Sequence, residues 1–387
     1  MGSELKDMNS SPPSSKEERR LLKSDSDTAA SIEELNKKFA PFARNDLYGT
    51  MGLGPLPVME KIKIAVAMVT LVPVRFVLAM AVLLLYYLIC RVCTLFSAPN
   101  RGAEEEEEEG GVVVQEDYAH MGGWRRAVIV RCGRFLSRVL LFVFGFYWIH
   151  ESYRDSPMDS KPKTSSNDKA KEPERSGAIV SNHVSYLDIL YHMSSSFPSF
   201  VAKRSVGKLP LVGLISKCLG CVYVQREAKS PDFKGVSGTV NERVRDAHQN
   251  KSAPTIMLFP EGTTTNGDYL LTFKTGAFLA GTPVLPVILK YPYSRFSLAW
   301  DTISGARHVI FLLCQFVNKM EAIHLPVYYP SQEEKDDPKL YASNVRRLMA
   351  TEGNLILSDL GLSDKRIYHA TLNGNLSLRS VFHQKEE

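Results

Sequence analysis

The chain has 387 residues, 44% hydrophobic and 23% charged, ordinary proportions that exclude wholesale disorder, collagen and a many-span transporter. Its net charge is +5, and six of its acids lie in one run, Glu104 to Glu109. The remainder is therefore more basic still, which suits anionic lipid, phosphate groups or nucleic acid.

Six cysteines in so long a chain are too few for a disulfide scaffold and point to a reduced, cytosol-facing protein. Residues 1–58 are expected to be a disordered polar tail. No aromatic residue precedes Phe39, and such a segment buries too little apolar surface to offset its ordering entropy. The segment lacks the charged start, apolar stretch and cleavage site of a secretory signal. Ser24 and Ser26, in KSDSD, are candidate phosphorylation sites, although a plain solvated linker explains them as well. One short patch, residues 31–39, carries the capping-box spacing Ser31…Glu34.

Residues 59–93 are the membrane segment. Residues 62–90 are almost unbroken hydrocarbon, with Lys63 and Arg75 their only charges. About twenty apolar residues cross a hydrocarbon core about 30 Å thick, and a soluble helix is rarely apolar on every side. Residues 94–134 connect it, acidic first and basic after, to a second apolar stretch at 135–150. Its apolar part, residues 135–149, is fifteen residues and reaches only about 22 Å as a helix. With Arg125, Arg126, Arg131 and Arg134 ahead of it, this stretch is expected to be a short helix at headgroup level. The positive-inside rule puts both Lys61/Lys63 and Arg125–Arg134 in the cytosol, which one crossing between them cannot satisfy. Pro73 breaks the helical ladder, and Arg75 is costly at mid-bilayer. A re-entrant hairpin bent near Pro73 answers both, and a single tilted span stays open beside it.

Residues 151–176 form a polar linker containing Pro157, Pro162 and Pro173. From Gly177 the pattern changes. Strand-like AIVSN, FVAKRS, GCVYVQR, TIMLF and PVLPVILKY alternate with helical YLDILYHMSS and VSGTVNERVRDAHQN and a helix-like FKTGAFLAG. The expected fold class is α/β, a sheet with flanking helices over residues 177–300, preceded by the N-terminal membrane-embedded helical segments. Residues 301–387 extend that domain. They hold an apolar run at 308–317 too short to span, and a last helix with Asp337 as N-cap and Pro338 at its first position.

At the first strand end stands SNHVSYLDIL. Positions five apart on a helix differ by about 140° in azimuth, so His183 and Asp188 meet only if the helix starts after His183. Ser185 as N-cap makes Asp188 the third helical residue, able to turn back toward the loop. That yields an imidazole fixed by a carboxylate, the general-base half of a triad without its nucleophile. A plain helix cap beside an ordinary loop histidine explains the motif equally well. Further on, TIMLF runs into Pro260-Glu261-Gly262-Thr263-Thr264-Thr265-Asn266-Gly267, where two glycines let the backbone curl and hydroxyls and amides face the sheet edge. Such a nest binds anions or hydroxyl-rich headgroups, and a polar turn has the same composition. Lys274 adds a positive charge just beyond. Arg226 ends the GCVYVQR strand, where a guanidinium beside the Gly/Thr loop can clamp a phosphate.

HVSYLD, GCVYVQR, FPEGTTTNG and TPVLPV stand in the order and spacing of the four blocks of the glycerolipid (PlsC-like) acyltransferases. The chain resembles that superfamily through these four ordered blocks, and the short plant members named next over nearly its whole length. EGTTTNG, FKTGAF and LPVYYPSQEEKDDPKLYASNVRRLM resemble the lysophosphatidylcholine and lysophosphatidylethanolamine acyltransferases in particular, most of all the short plant members. The resemblance implies acyl-CoA-dependent acylation of a lysophospholipid, with lysophosphatidylethanolamine favoured. By it, His183 takes the proton from the free glycerol hydroxyl and Asp188 holds the imidazole. Arg226, Glu261, Gly262 and Thr263 hold the phosphate and glycerol of the acceptor. The partners are acyl-CoA, lysophospholipid and a lipid bilayer, without nucleic acid, on the cytosolic side of the endoplasmic reticulum membrane. Acyl-CoA is a co-substrate, and no cofactor is implied. The pairs Cys90/Cys93 and Cys218/Cys221 lack partners at zinc spacing, so no metal is expected. CoA-independent transacylation and a non-enzymatic membrane scaffold are the competing functions.

Overall fold

Alternating apolar residues on two adjacent strands decide how the sheet is covered. On β2 (Ala178–Ser181) and β6 (Val284–Lys290), Ala178, Val180, Val284 and Ile288 join one core cluster, while Ile179, Val287 and Leu289 join the other. Both faces are therefore buried, as the near-continuous apolar text of these strands requires. The computed structural model describes residues 32–101, 105–106, 112–113, 116–154, 175–224 and 235–375.

Among these residues a seven-stranded sheet has the order β1 (Ile149–Tyr153), β7 (Met320–His324), β6, β2, β5 (Ile256–Leu258), β3 (Ser199–Lys203), β4 (Val222–Val224). All neighbours are parallel except β6 and β7. Strand β2, which leads into His183, lies at the centre. One face carries α7 (Gly235–Gln249) and α10 (Pro338–Gly353), which follows the short α9 (Gln332–Asp336) and begins as expected, with Asp337 accepting from the Lys339 amide and Pro338 first. The other face carries α3 (Leu71–Cys93), α4 (Gly123–Val143), α5 (Leu187–Ser195), α6 (Val212–Leu219) and α8 (Gly305–Cys314). The sheet reaches beyond residues 177–300, since β1 and β7 are drawn from the expected apolar stretch and linker on one side and the extension on the other. FKTGAFLAG supplies only a 3₁₀ turn at Thr275–Ala277.

Ordered structure begins before residue 59. Residues 32–38 form α1, and Leu35, Phe39 and Phe42 are buried with Leu271 and Tyr368 of α11 (Leu362–Leu372). The three apolar residues are few, but their spacing puts them on one face, and the domain covers that face. Ser24, Ser26 and Ser31 lie outside the described residues.

The helix break falls at Thr70, between α2 (Val58–Val69) and α3, not at Pro73. Pro73 is the third residue of α3, where its missing N–H removes no helical hydrogen bond. Arg75 does not face hydrocarbon. It is buried and donates to the carbonyls of Leu313 (3.0 Å), Gln315 and Phe316 (2.9 Å), the C-terminal end of α8, and to the Tyr147 hydroxyl. Tyr86, Cys90 and Cys93 share its buried face, and α3 packs on α8, α4 and α6. From Arg75 to Cys93 that is about 27 Å of helix laid along the domain. Among the described residues α3 alone is long and apolar enough to cross a membrane. Its outer face, with Phe76, Val77, Leu84 and Leu88, is exposed.

The expected headgroup helix at 135–150 is instead the last part of α4, which starts at Gly123 and then gives way to β1. Ile129, Gly133, Leu136 and Leu141 turn toward α3 and α5. Gly133 is needed there, since a Cβ would stand 2.2 Å from the Phe197 ring and 2.4 Å from the Tyr86 hydroxyl. Arg138 caps the chain reversal by donating to the Phe146 and Tyr147 carbonyls.

Residues 32–46 touch the same domain as β1, which fixes both on one side of any bilayer. Tags ahead of residue 32 and just after Arg154 should therefore be digested together, or protected together, when protease is added to sealed microsomes. Opposite fates would contradict this packing.

Candidate active site

The site is built on the loop that leaves β2. Asn182 continues the ladder with its side chain, accepting from the Leu289 amide (2.7 Å) and donating to the Leu289 carbonyl (2.9 Å). The next residue, His183, is gripped on its backbone: its N–H donates to Glu261 Oε1 (2.7 Å) and its carbonyl accepts from Thr265 N (3.0 Å). The Trp300 amide donates to the Val184 carbonyl at 2.8 Å. The imidazole lies flat on Phe259, with ring centroids 4.1 Å apart and planes at 17°. Its Nδ1 is 2.9 Å from Asp188 Oδ2.

Asp188 serves as cap and orienter together, so the two sequence readings are not exclusive. Its Oδ2 also accepts the Val184 and Ser185 amides at 2.8 and 3.0 Å, and its Oδ1 accepts the Tyr291 hydroxyl. Burial and the neighbouring Asp188 push the Tyr291 phenol well above its usual value, so it remains a donor. Only the acid's half of the capping box forms. The helix begins at Leu187, and among the described residues the buried Ser185 hydroxyl has no hydrogen-bond partner.

The Gly/Thr loop reaches the same place from β5. Glu261 is buried, and its second oxygen accepts the Leu271 amide at 2.9 Å. Both oxygens are thus taken by backbone, and the carboxyl braces the His183 loop. Burial pushes it up to about 8 against the pull of those two amides. Gly262 has φ +71°, and a Cβ on it would meet Lys274 Nζ at 2.7 Å. Only glycine meets both demands, and Lys274 brings its charge over the loop. Thr263 is half-buried beside it. Arg226 lies outside the described residues.

The loop is held from behind by chain ends the motifs do not announce. Lys365 of α11 donates to Thr264 Oγ1 (2.7 Å) and the Thr264 and Trp300 carbonyls, and burial pulls its ammonium down to about 8. Asn266 donates to the carbonyls of Pro41, Ala40 and Ala43. Arg44 pairs with Asp301 (3.0 Å) and Asp46 and donates to Ser297 and Ala299 carbonyls. Sequence reasoning missed Phe259, Tyr291, Trp300 and Lys365. The first two were findable: they directly follow β5 and β6, the strands flanking β2, and sites in parallel sheets form at strand carboxyl ends.

With Nδ1–H donated to Asp188, Nε2 is the basic nitrogen. Among the described residues it has no protein hydrogen-bond partner, and the side chain is 20% exposed. Among the described residues no serine, threonine or cysteine bonds to the ring. The pair can therefore take a proton from a bound hydroxyl, and it has no nucleophile of its own to activate.

A family model described as Acyltransferase matches residues 163–290. Over 398 aligned residues the chain is 82% identical to the Arabidopsis thaliana lysophospholipid acyltransferase LPEAT1, covering 100% of both. It is 33% identical to Homo sapiens lysophosphatidylcholine acyltransferase 1, over 88% of this chain and 56% of that one. The match to Arabidopsis thaliana LPEAT2 is 31% identical, over 63% and 43%. The crystal structure of the 1-acyl-sn-glycerophosphate acyltransferase PlsC from Thermotoga maritima overlaps 74% of this chain and 100% of that one, with TM-score 0.39 and 17% identity.

Tyr291→Phe deletes the donor to Asp188 Oδ1 and changes nothing else in the dyad. A hydrogen bond to a charged group contributes about 1.5–3 kcal/mol, so kcat should fall about tenfold, with little change in either KM. Steady-state kinetics on the purified variant test this.

Proposed function

This chain belongs to the glycerolipid acyltransferase family, and from that premise we propose that it transfers a fatty acyl group from acyl-CoA to the free hydroxyl of a lysophospholipid. The observation that carries the proposal is the His183 dyad, a base with an open Nε2 and no protein nucleophile beside it. Nε2 takes the proton of the glycerol hydroxyl as its oxygen attacks the thioester carbon. The imidazolium formed is stabilised by Asp188, and the proton then passes to the departing CoA sulfur. Bonds and charge balance without a covalent acyl-enzyme.

Lys274 over Gly262 supplies positive charge where the acceptor phosphate would lie, Thr263 offers a hydroxyl, and Arg226 is assigned the bidentate clamp. Glu261 acts through the His183 backbone and not by touching the acceptor. Lysophosphatidylethanolamine is the favoured acceptor, in keeping with the 82% identity to LPEAT1. A water-soluble thioester and a membrane-borne acceptor must meet at a lipid surface. The exposed apolar face of α3, together with the exposed Trp124, Trp148 and Phe316, suits an enzyme lying on one leaflet with α3 along the interface. We assign it to the cytosolic face of the endoplasmic reticulum membrane.

Microsomes containing the chain, one labelled acyl-CoA and a panel of lysophospholipids test the reaction and its acceptor. Transfer that continues without acyl-CoA would favour transacylation between phospholipids instead. A general base contributes roughly 10²–10⁴-fold, so His183→Ala should lower kcat at least about a hundredfold with protein level and membrane association intact. Asp188→Asn should be comparably damaging, because the amide must turn its NH₂ toward either Tyr291 or three N–H donors. Near-normal turnover by folded His183→Ala protein would sink the mechanism.

A further inference from the structure

Beside the His183 loop a cavity of 570 Å³ opens between Thr263 and Thr264, the turn at 300–305, and one face of α11. It adjoins the catalytic loop, yet α11 lies beyond the stretch that the family model matches. Its walls are chemically mixed. Trp300 is 39% exposed, and its ring is fixed by Nε1 donating to the Ile303 carbonyl (3.2 Å) and by an edge contact with Tyr186. That makes a flat, preset aromatic wall.

The facing wall is cationic. Lys365 has committed its donors to Thr264 and Trp300 and contributes only charge. Arg366 is exposed and, among the described residues, has no hydrogen-bond or ion-pair partner. The N-terminus of α8 also opens here: Ser304 and Gly305 line the cavity, and the Ser304 hydroxyl makes no cap hydrogen bond. First-turn amides left open in this way attract anions. Asp301, the acid among the lining residues, is ion-paired with Arg44.

An aromatic wall facing a free guanidinium fits a ligand with both a flat ring and phosphates. A lysophospholipid headgroup has the phosphate without the ring. We propose that this cavity holds the phosphoadenosine end of the acyl donor, with the adenine on Trp300 and the phosphates on Arg366 and the α8 N-terminus. The proposal rests on acyl-CoA being the donor and extends the site from the reacting thioester to the nucleotide.

The test uses the full-length chain and Arg366→Glu, an exposed position where folding is not at stake. Charge-assisted hydrogen bonds to phosphate are strong enough that losing them should raise the acyl-CoA KM about tenfold or more, with the lysophospholipid KM moving less than about twofold. With an acyl-pantetheine thioester, which has no nucleotide, variant and parent should share one KM. Titration calorimetry with adenosine bisphosphate should show binding to the parent and about tenfold weaker binding to the variant. An unchanged acyl-CoA KM, an equal loss with the pantetheine donor, or no adenosine bisphosphate binding to the parent would each overturn the proposal. A rise in the lysophospholipid KM instead would give the cavity to the acceptor headgroup. Adenosine bisphosphate binding without any acyl-CoA turnover would sink the proposed reaction and leave the nucleotide site standing.

Discussion

One buried carboxylate organises this site. Asp188 collects the His183 imidazole, two backbone amides of the loop and the Tyr291 hydroxyl on its two oxygens. Each donor comes from a different backbone position, so the loop, the start of α5 and the end of β6 are referred to one point. A carboxylate suits this because it accepts in several directions and donates in none. The geometry of the His183–Asp188 pair and the local fold are thus one set of hydrogen bonds. Removing the acid frees the ring and the loop together.

Around that point the protein adds braces whose function is to keep the loop from relaxing. Glu261 takes the His183 amide, Thr265 takes its carbonyl, and Trp300 takes the Val184 carbonyl. Those braces are themselves secured by Lys365 from the C-terminal side and by Pro41, Ala43 and Arg44 from the N-terminal side. Residues 32–46 and α11 lie outside the matched family segment, yet they join the small core of Leu35, Phe39, Phe42 and Tyr368 behind the His183 loop. A base must be held to within a fraction of an ångström to be effective, and a loop at a sheet edge does not achieve that alone.

The apolar helix follows the same logic of partnership. Arg75 would be costly in hydrocarbon, but its guanidinium donates to three carbonyls at the end of α8, groups that need a partner in any case. Glu60 of α2 is likewise tied to Arg295 and Lys63. Charges in an otherwise apolar stretch thus mark the face that meets protein, and the uncharged remainder is left exposed.

The sequence by itself determined five of the seven strands of the sheet, the apolar helix and the neighbourhood of the chemistry. Those depend on local text: alternating apolar residues between turn signals, a long uncharged run, and a histidine five residues ahead of an acid. It also placed the Asp337–Pro338 helix start, because a cap is a contact between near neighbours. Tertiary structure alone decided the rest. Tyr291, Trp300 and Lys365 stand 103, 112 and 177 residues beyond Asp188 or within reach of its loop only after the sheet has ordered its strands, so no spacing rule could bring them in. The family blocks single out Glu261, but only packing shows that both its oxygens accept backbone amides. The N-terminal segment looked like tail because its few apolar residues have no partners until α11 and Leu271 cover them. Arg75 looked like a bend in a membrane because nothing nearby in the chain announces the end of α8. Local pattern records what a segment prefers, and burial records what distant segments supply; the site of this protein depends on the second.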